Sequence, residues 1–373
     1  MQLQAPATSA AQRNYGVDAL RILSILMVLV LHVLGMGGVI ESTKPLGLNY
    51  FGAWTLETAA FCAVNCYGLI SGYVGIHAKY RYTNLLMLWV QVFLYGIVFT
   101  VIQRLVDPAS VDLSAMVKAA FPMLKKAFWY FTAYTGLFIL LPVLNRGILA
   151  LNRRQAVVLC MTIVVVFSVM PSLVAEDSFY MRNGYSPLWL MLLYVLGACI
   201  RRFDFGSKIP SIWLVVMYVG AVAVSMGVLA FLVTDTVSFL TELYPANVLV
   251  TYTAPTILLC GVALLLLFSR LQIRANGCVW LIRTLTPLVF GIYILHMQPV
   301  LRKFLFDSGF FMKLGGASLP VLVAGVFAGA LGLFVACALI EKLRQLLFDV
   351  LGVKKWLERL EEKFVGNLWI SEN

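Results

Sequence analysis

Ten predominantly apolar runs punctuate the chain, at about 16–38, 53–75, 83–104, 127–148, 156–174, 185–201, 211–233, 247–269, 280–300 and 318–340. Each approaches the ~20 residues that a helix needs to cross a bilayer, and short polar links separate them. The pattern predicts an all-α fold, a polytopic membrane helix bundle of about ten transmembrane helices. Residues 1–14 are mostly small and polar and predict a disordered tail; 15–340 form the membrane domain. In 341–373, Leu343, Leu346, Leu347, Val350, Leu357, Leu360 and Phe364 alternate at helical spacing with Lys342, Arg344, Lys354, Lys355, Arg359 and Lys363. That periodicity predicts an amphipathic surface helix and tail, with a break at Gly352. A second surface helix is expected over 112–126, where apolar residues are interrupted by Pro122 and three lysines.

The first run departs from the pattern. It contains Asp18, Arg21 and His32, and ionisable groups at membrane depth are costly unless they face a protein interior or a watery cavity. At about 100° and 1.5 Å per residue, the eleven steps from Arg21 to His32 return to within about 20° of the same face, roughly 16 Å further along the axis. Asp18 lies on that face too. One helix therefore carries a cation near one membrane surface and an imidazole about halfway across.

Charge gives the helices a direction. The N-terminal tail and the links 76–82, 146–155, 201–209 and 270–283 hold Arg13, Lys79, Arg81, Arg146, Arg153, Arg154, Arg201, Arg202, Lys208, Arg270, Arg274 and Arg283 against the single acid Asp204. The intervening links are nearly neutral. By the positive-inside rule the basic links and both termini are cytoplasmic. The same loops account for the net charge of +11 and the pI near 9.4, so a nucleic-acid partner is excluded. A hydrophobic fraction of 61% and mean hydropathy of +0.91 exclude a soluble domain and name the lipid bilayer as the standing partner. The seven cysteines show neither Cys-x-x-Cys nor Cys/His metal spacing, so they read as small buried hydrophobes and no metal is expected.

His32 is the first catalytic candidate, because an imidazole with reference pKa ~6.5 can take a proton from a hydroxyl or carry an acyl group as a nucleophile. The sequence leaves both routes open. Asp18 joins it, either orienting Arg21 or starting the helix, and the planar fork of Arg21 suits a donor phosphate or a pair with Asp18. Glu57 and Asn65, eight residues apart in the second run, are candidates to line a cavity opposite His32. Trp129, Tyr130, Tyr134 and Trp189 could stack on a sugar or line an acyl-chain tunnel, although interfacial belts and bundle packing are the commoner use of such residues. Two readings without group transfer fit the buried charges as well: a transporter or flippase of a lipid-linked sugar, and a non-catalytic membrane sensor.

The order of the motifs carries a resemblance. Asp18-x-x-Arg21 followed after ten residues by His32 is joined by Ser71-Gly72-Tyr73, then Phe128-Trp129-Tyr130-Phe131 with Tyr134 and Leu141-Pro142. Pro187-Leu188-Trp189 with Gly197 and Tyr293-Ile294-Leu295-His296 complete the set. This arrangement resembles the acyltransferase 3 family of membrane O-acyltransferases over nearly all of residues 15–340. The resemblance implies an O-acyltransferase of a bacterial inner membrane. Its donor would be acetyl-CoA or another acyl-CoA, and its acceptor a hydroxyl of a cell-surface carbohydrate or glycolipid. Arg21, Arg81 and Arg153 are donor-binding candidates by their position at the cytoplasmic side; Asn65 and Glu57, with Trp189 and His296 of the quoted motifs, are acceptor-side candidates. Where that family carries a second Arg-x-x-Arg pair entering the third helix, this chain has Lys79-Tyr80-Arg81 and then Asn84.

Overall fold

The computed structural model describes residues 13–366 apart from 109–110, 113, 115–116, 118–120, 122–127 and 235–236. The surface helix expected over 112–126 falls mostly outside the described residues. Among the described residues every regular element is helical, and seven helices are long and apolar enough to cross a membrane. They are α1 (Tyr15–Leu34), α4 (Tyr82–Val106), α5 (Trp129–Ala150), α6 (Arg153–Val174), α8 (Ser211–Val233), α10 (Asn276–His296) and α11 (Leu319–Val350). The remaining three apolar runs fold into shorter pieces. The run at 53–75 is split between α2 (Leu48–Ala60) and α3 (Ala63–Gly75), while α7 (Pro187–Phe203) and α9 (Pro255–Ser269) have 17 and 15 residues. The helix α12 (Val353–Phe364) closes the described chain.

The split between α2 and α3 occurs without proline. The Phe61 amide reaches back only three residues, to the Thr58 carbonyl, and the Ala59 carbonyl accepts the Tyr218 hydroxyl at 2.8 Å. A side chain inserted into the hydrogen-bond ladder turns a helix without leaving a buried polar group unpaired.

α1 is the central helix. Of its apolar window 61% is buried, against 11–39% in the other six long helices, and it touches α2, α3, α9, α10 and α11. Its start is fixed by Asn14. The Oδ1 of Asn14 accepts the Val17 amide at 3.1 Å while its Nδ2 donates to the Ser269 carbonyl at 2.7 Å, at the end of α9. That is an N-cap and an inter-helix tie in one residue.

α3 and α7 approach most closely through small residues. A Cβ at Gly72 would lie 1.9 Å from the Tyr194 carbonyl oxygen, and one at Gly197 would lie 2.0 Å from that of Leu69. Backbones at this separation gain van der Waals contact that larger side chains would prevent, which is how membrane helices associate when no water is there to be expelled. The pair forms one wall of the site.

α11 has 32 residues, about 48 Å at 1.5 Å per residue, so it outruns the ~30 Å hydrocarbon core. Gly352, with φ of +62°, makes the left-handed turn that folds α12 back toward the start of α4. Glu341 differs from the expectation that it opens an amphipathic surface helix. It is fully buried within α11, where its carboxylate accepts from Tyr95 Oη at 2.6 Å, Gln91 Nε2 at 3.0 Å and Arg344 Nη2 at 2.5 Å. Those partners make burial of the charge tolerable.

Candidate functional site

The chemistry-bearing face of α1 opens onto a cavity of about 320 Å³. Arg21, Ile25, Val28 and His32 of α1 line one side. Tyr67 and Ser71 of α3, Trp129, Tyr130 and Tyr134 of α5, Tyr252, and Thr286, Phe290 and Tyr293 of α10 supply the others. α10 can contribute so many residues because Pro287 tightens it into a short 3₁₀ turn at Thr286–Leu288, offsetting its two halves. A second chamber of about 180 Å³ adjoins the first. It shares Arg21, Ser71 and Tyr134 with it and adds Lys79, Tyr80, Arg81, Asn84, Asn145 and Tyr194. Arg21 thus lies between a chamber lined by Lys79 and Arg81 and an aromatic chamber lined by the His32 imidazole.

At that end two histidines from opposite parts of the sequence meet. His32 Nδ1 lies 2.7 Å from His296 Nε2, and His296 Nδ1 lies 2.7 Å from the Ile292 carbonyl oxygen. A carbonyl only accepts, so His296 carries its hydrogen on Nδ1 and presents a lone pair at Nε2. His32 must then donate from Nδ1. Its own Nε2 is left as a lone pair on the imidazole that lines the cavity, which is the state a general base or a nucleophile requires. His296 is fully buried and does not line the cavity, and the Phe306 ring meets the His32 ring edge-on with centroids 6.4 Å apart. Both contacts restrict the rotation of the His32 ring.

At the other end Asp18, 4% exposed, accepts from Arg21 Nη1 at 2.8 Å and from Arg13 Nε at 2.5 Å. One carboxylate between two guanidiniums leaves this corner with net positive charge and fixes the Arg21 fork. Asp18 lines neither chamber, so its place is behind Arg21 rather than beside a reacting atom. The Arg21 carbonyl is itself held by the Tyr67 hydroxyl at 3.0 Å.

The remaining candidates divide by position. Arg81 lines the second chamber. Arg153 does not: its Nη1 donates to the Phe203 carbonyl at 2.7 Å and its guanidinium lies 5.1 Å from the Phe205 ring centroid, so it caps α7. Asn65 and Trp189 are also away from the cavity. Asn65 Oδ1 accepts from Trp189 Nε1 at 3.0 Å and its Nδ2 donates to the Tyr252 carbonyl at 2.8 Å, a buried brace behind the wall. Glu57 lies outside the cavity lining, and its buried Oε2 has no hydrogen-bond partner among the described residues.

Trp129, Tyr130 and Tyr134, for which belt or packing roles are the commoner use, line the cavity instead. Tyr67, Tyr252 and Tyr293 join them, and only Tyr293 had stood in a quoted motif. No signal in the sequence marks Tyr252, which sits in the irregular stretch before α9. The Tyr130 and Tyr293 rings meet edge to face at 5.9 Å, and Trp129 stacks on Tyr252 at 6.0 Å. These rings make a wall of flat apolar faces with hydroxyls at the edges.

A family model described as an acyltransferase domain matches residues 14–341. That span is nearly the whole chain, so the protein belongs to this acyltransferase family. No curated protein and no solved structure matches it.

Proposed function

We propose that this membrane acyltransferase moves an acyl group, acetyl in the simplest case, from cytoplasmic acyl-CoA to a hydroxyl of a cell-surface or lipid-linked carbohydrate, working in the inner membrane of a bacterium. The observation that carries the reading is that two chambers share Arg21, Ser71 and Tyr134 as lining, one adding Lys79 and Arg81 and the other lined by His32, whose Nδ1 is engaged by His296. The basic end suits the anionic part of the donor, and the aromatic end suits a thioester arm and a ring-shaped acceptor. Lys79 and Arg81 belong to a link that the charge bias assigns to the cytoplasm, together with both termini. The donor then enters from the compartment that holds it.

In this reading the acceptor O–H hydrogen-bonds to His32 Nε2. As the oxygen attacks the thioester carbonyl, a C–O bond forms and the proton passes to Nε2. The C–S bond then breaks, and the leaving thiolate takes that proton as CoA departs. During the step His32 is an imidazolium with both nitrogens donating, and His296 Nε2 receives the Nδ1–H at 2.7 Å. A pre-aimed acceptor of this kind lowers the cost of charge that develops in a water-poor site.

The test uses purified, reconstituted protein with radiolabelled acetyl-CoA and a panel of membrane glycolipids and cell-wall sugars. The expected result is CoA thiol release that depends on a hydroxyl acceptor, with label recovered in an alkali-labile ester. Movement of a lipid-linked sugar across the bilayer without CoA release would replace this reading with transport.

A further inference from the structure

The C-terminal helix α12 lies outside the matched domain, yet its acidic residues hold the start of α4, whose N-cap Arg81 lines the second chamber. α4 begins at Tyr82, and its N-cap residue Arg81 makes no side-chain capping bond. The carboxylate of Glu361 fills that role from elsewhere in the chain. One oxygen accepts the Tyr82 amide at 2.7 Å, and the other accepts the Thr83 amide at 3.1 Å and the Thr83 hydroxyl. One turn earlier on α12, Glu358 Oε1 lies 3.9 Å from Arg81 Nη1. The first amides of a helix have no partner within the helix and carry the positive end of its dipole, so a carboxylate there is doubly favoured. The buried Leu357 seats α12 against the bundle, while Lys354, Lys355 and Lys363 stay exposed.

We propose that Glu361, with Glu358, positions the donor-side mouth: α12 is a latch that sets the first turn of α4 and, through it, Arg81. The inference rests on the donor reading above, because Arg81 lines the chamber through which acyl-CoA would enter. The two glutamates act on Arg81 in different ways. Glu361 fixes the backbone from which the side chain springs, and Glu358, whose Oε1 is 3.9 Å from Lys354 Nζ as well, sets a carboxylate beside the guanidinium. Neither lines a chamber, so their loss changes how the donor is received and leaves the chemistry at His32 untouched.

Two readouts on the full-length reconstituted protein test this, one independent of the donor. Hydrogen exchange of the segment 80–86 reads the cap directly. Glu361→Ala should accelerate exchange there by roughly 2- to 30-fold, the range of N-cap losses expressed as an equilibrium, with the rest of the bundle unchanged. Steady-state kinetics should show the acyl-CoA KM raised by a similar factor, with kcat and the acceptor KM within about twofold. Glu361→Gln, which keeps an accepting oxygen, should fall between wild type and Ala. The exposed neighbour Glu362→Ala should match wild type. Unchanged exchange over 80–86 overturns the latch. Local acceleration with an unaltered donor KM overturns its role in receiving the donor, and faster exchange across the whole bundle marks Glu361 as a general fold contact, also against the inference. Absence of any CoA-dependent turnover in the wild type counts against the donor reading instead. The exchange arm then decides alone, since local acceleration sustains the latch for another donor and its absence removes it.

Discussion

Replacing His296 with leucine removes the acceptor of the His32 Nδ1–H and leaves the volume filled. Two 2.7 Å hydrogen bonds now fix His32 indirectly: Ile292 dictates the His296 tautomer, and His296 dictates that of His32. Without the acceptor, His32 has a buried unpaired donor, which costs about 1–3 kcal/mol if the ring stays in place. The ring relieves that cost by moving its hydrogen to Nε2 or by turning. Either escape hides the lone pair from the cavity. A general base contributes ~10²–10⁴ in rate, and losing the group that holds a base in its working tautomer has cost about 10⁴ in a serine protease. His296→Leu should therefore lower kcat by roughly 10²-fold or more. The donor KM should stay near wild type, because His296 does not line the cavity. His296→Gln offers an amide oxygen as substitute acceptor and should recover at least tenfold over Leu, on the order of one lost hydrogen-bond constraint. The assay is acetyl transfer by reconstituted protein with donor concentration varied. Wild-type kcat in His296→Leu would refute the tautomer argument. Equal loss in Leu and Gln would refute it too, since it would show that the imidazole itself is needed.

Arg21→Ala should raise the donor KM by roughly 10-fold or more, the scale of a lost charge-assisted bond, whereas Arg153→Ala should leave it unchanged; titration of acyl-CoA against both variants checks the contrast. Asn65→Leu breaks the bonds to Trp189 and the Tyr252 carbonyl and should cost about 1–3 kcal/mol of stability, read as a lower unfolding temperature in detergent. The donor KM and the His32-dependent step should be altered far less than in Arg21→Ala and His296→Leu.

What the sequence could disclose followed from cost. Asp18, Arg21 and His32 stand out because a charge in an apolar run needs a reason, and helical geometry alone aligns them. The same logic applied to Glu341, followed three residues later by Arg344, would have identified a buried ion pair instead of a surface helix. Other features depend on what lies across from a residue, and the chain does not state that. His32 and His296 are 264 positions apart, so no periodicity links them. Asn65 is polar within a span whether it faces a cavity or a neighbouring tryptophan. Arg81 and Arg153 look alike as loop charges, and only the fold sends one to a chamber and the other to a helix end. The run at 53–75 reads as one span because hydropathy registers composition, not the Tyr218 hydroxyl that turns the helix at Ala59. The short helices α7 and α9 are the counterpart: hydropathy marks their runs as spans, yet the helices stop at 17 and 15 residues, and their ends are not written in composition.

Group transfer by this site depends on the Nε2 of His32, and His32→Ala in reconstituted protein tests that most directly. Expression, detergent stability and acyl-CoA binding are measured beside acetyl transfer. Removal of the base should lower transfer by about 10²–10⁴ while the protein stays folded and binds the donor as wild type does. Donor-only labelling of the wild type that is absent from the mutant would assign the imidazole as acyl carrier in place of base. Transfer by a folded His32→Ala protein at the wild-type rate would contradict the account.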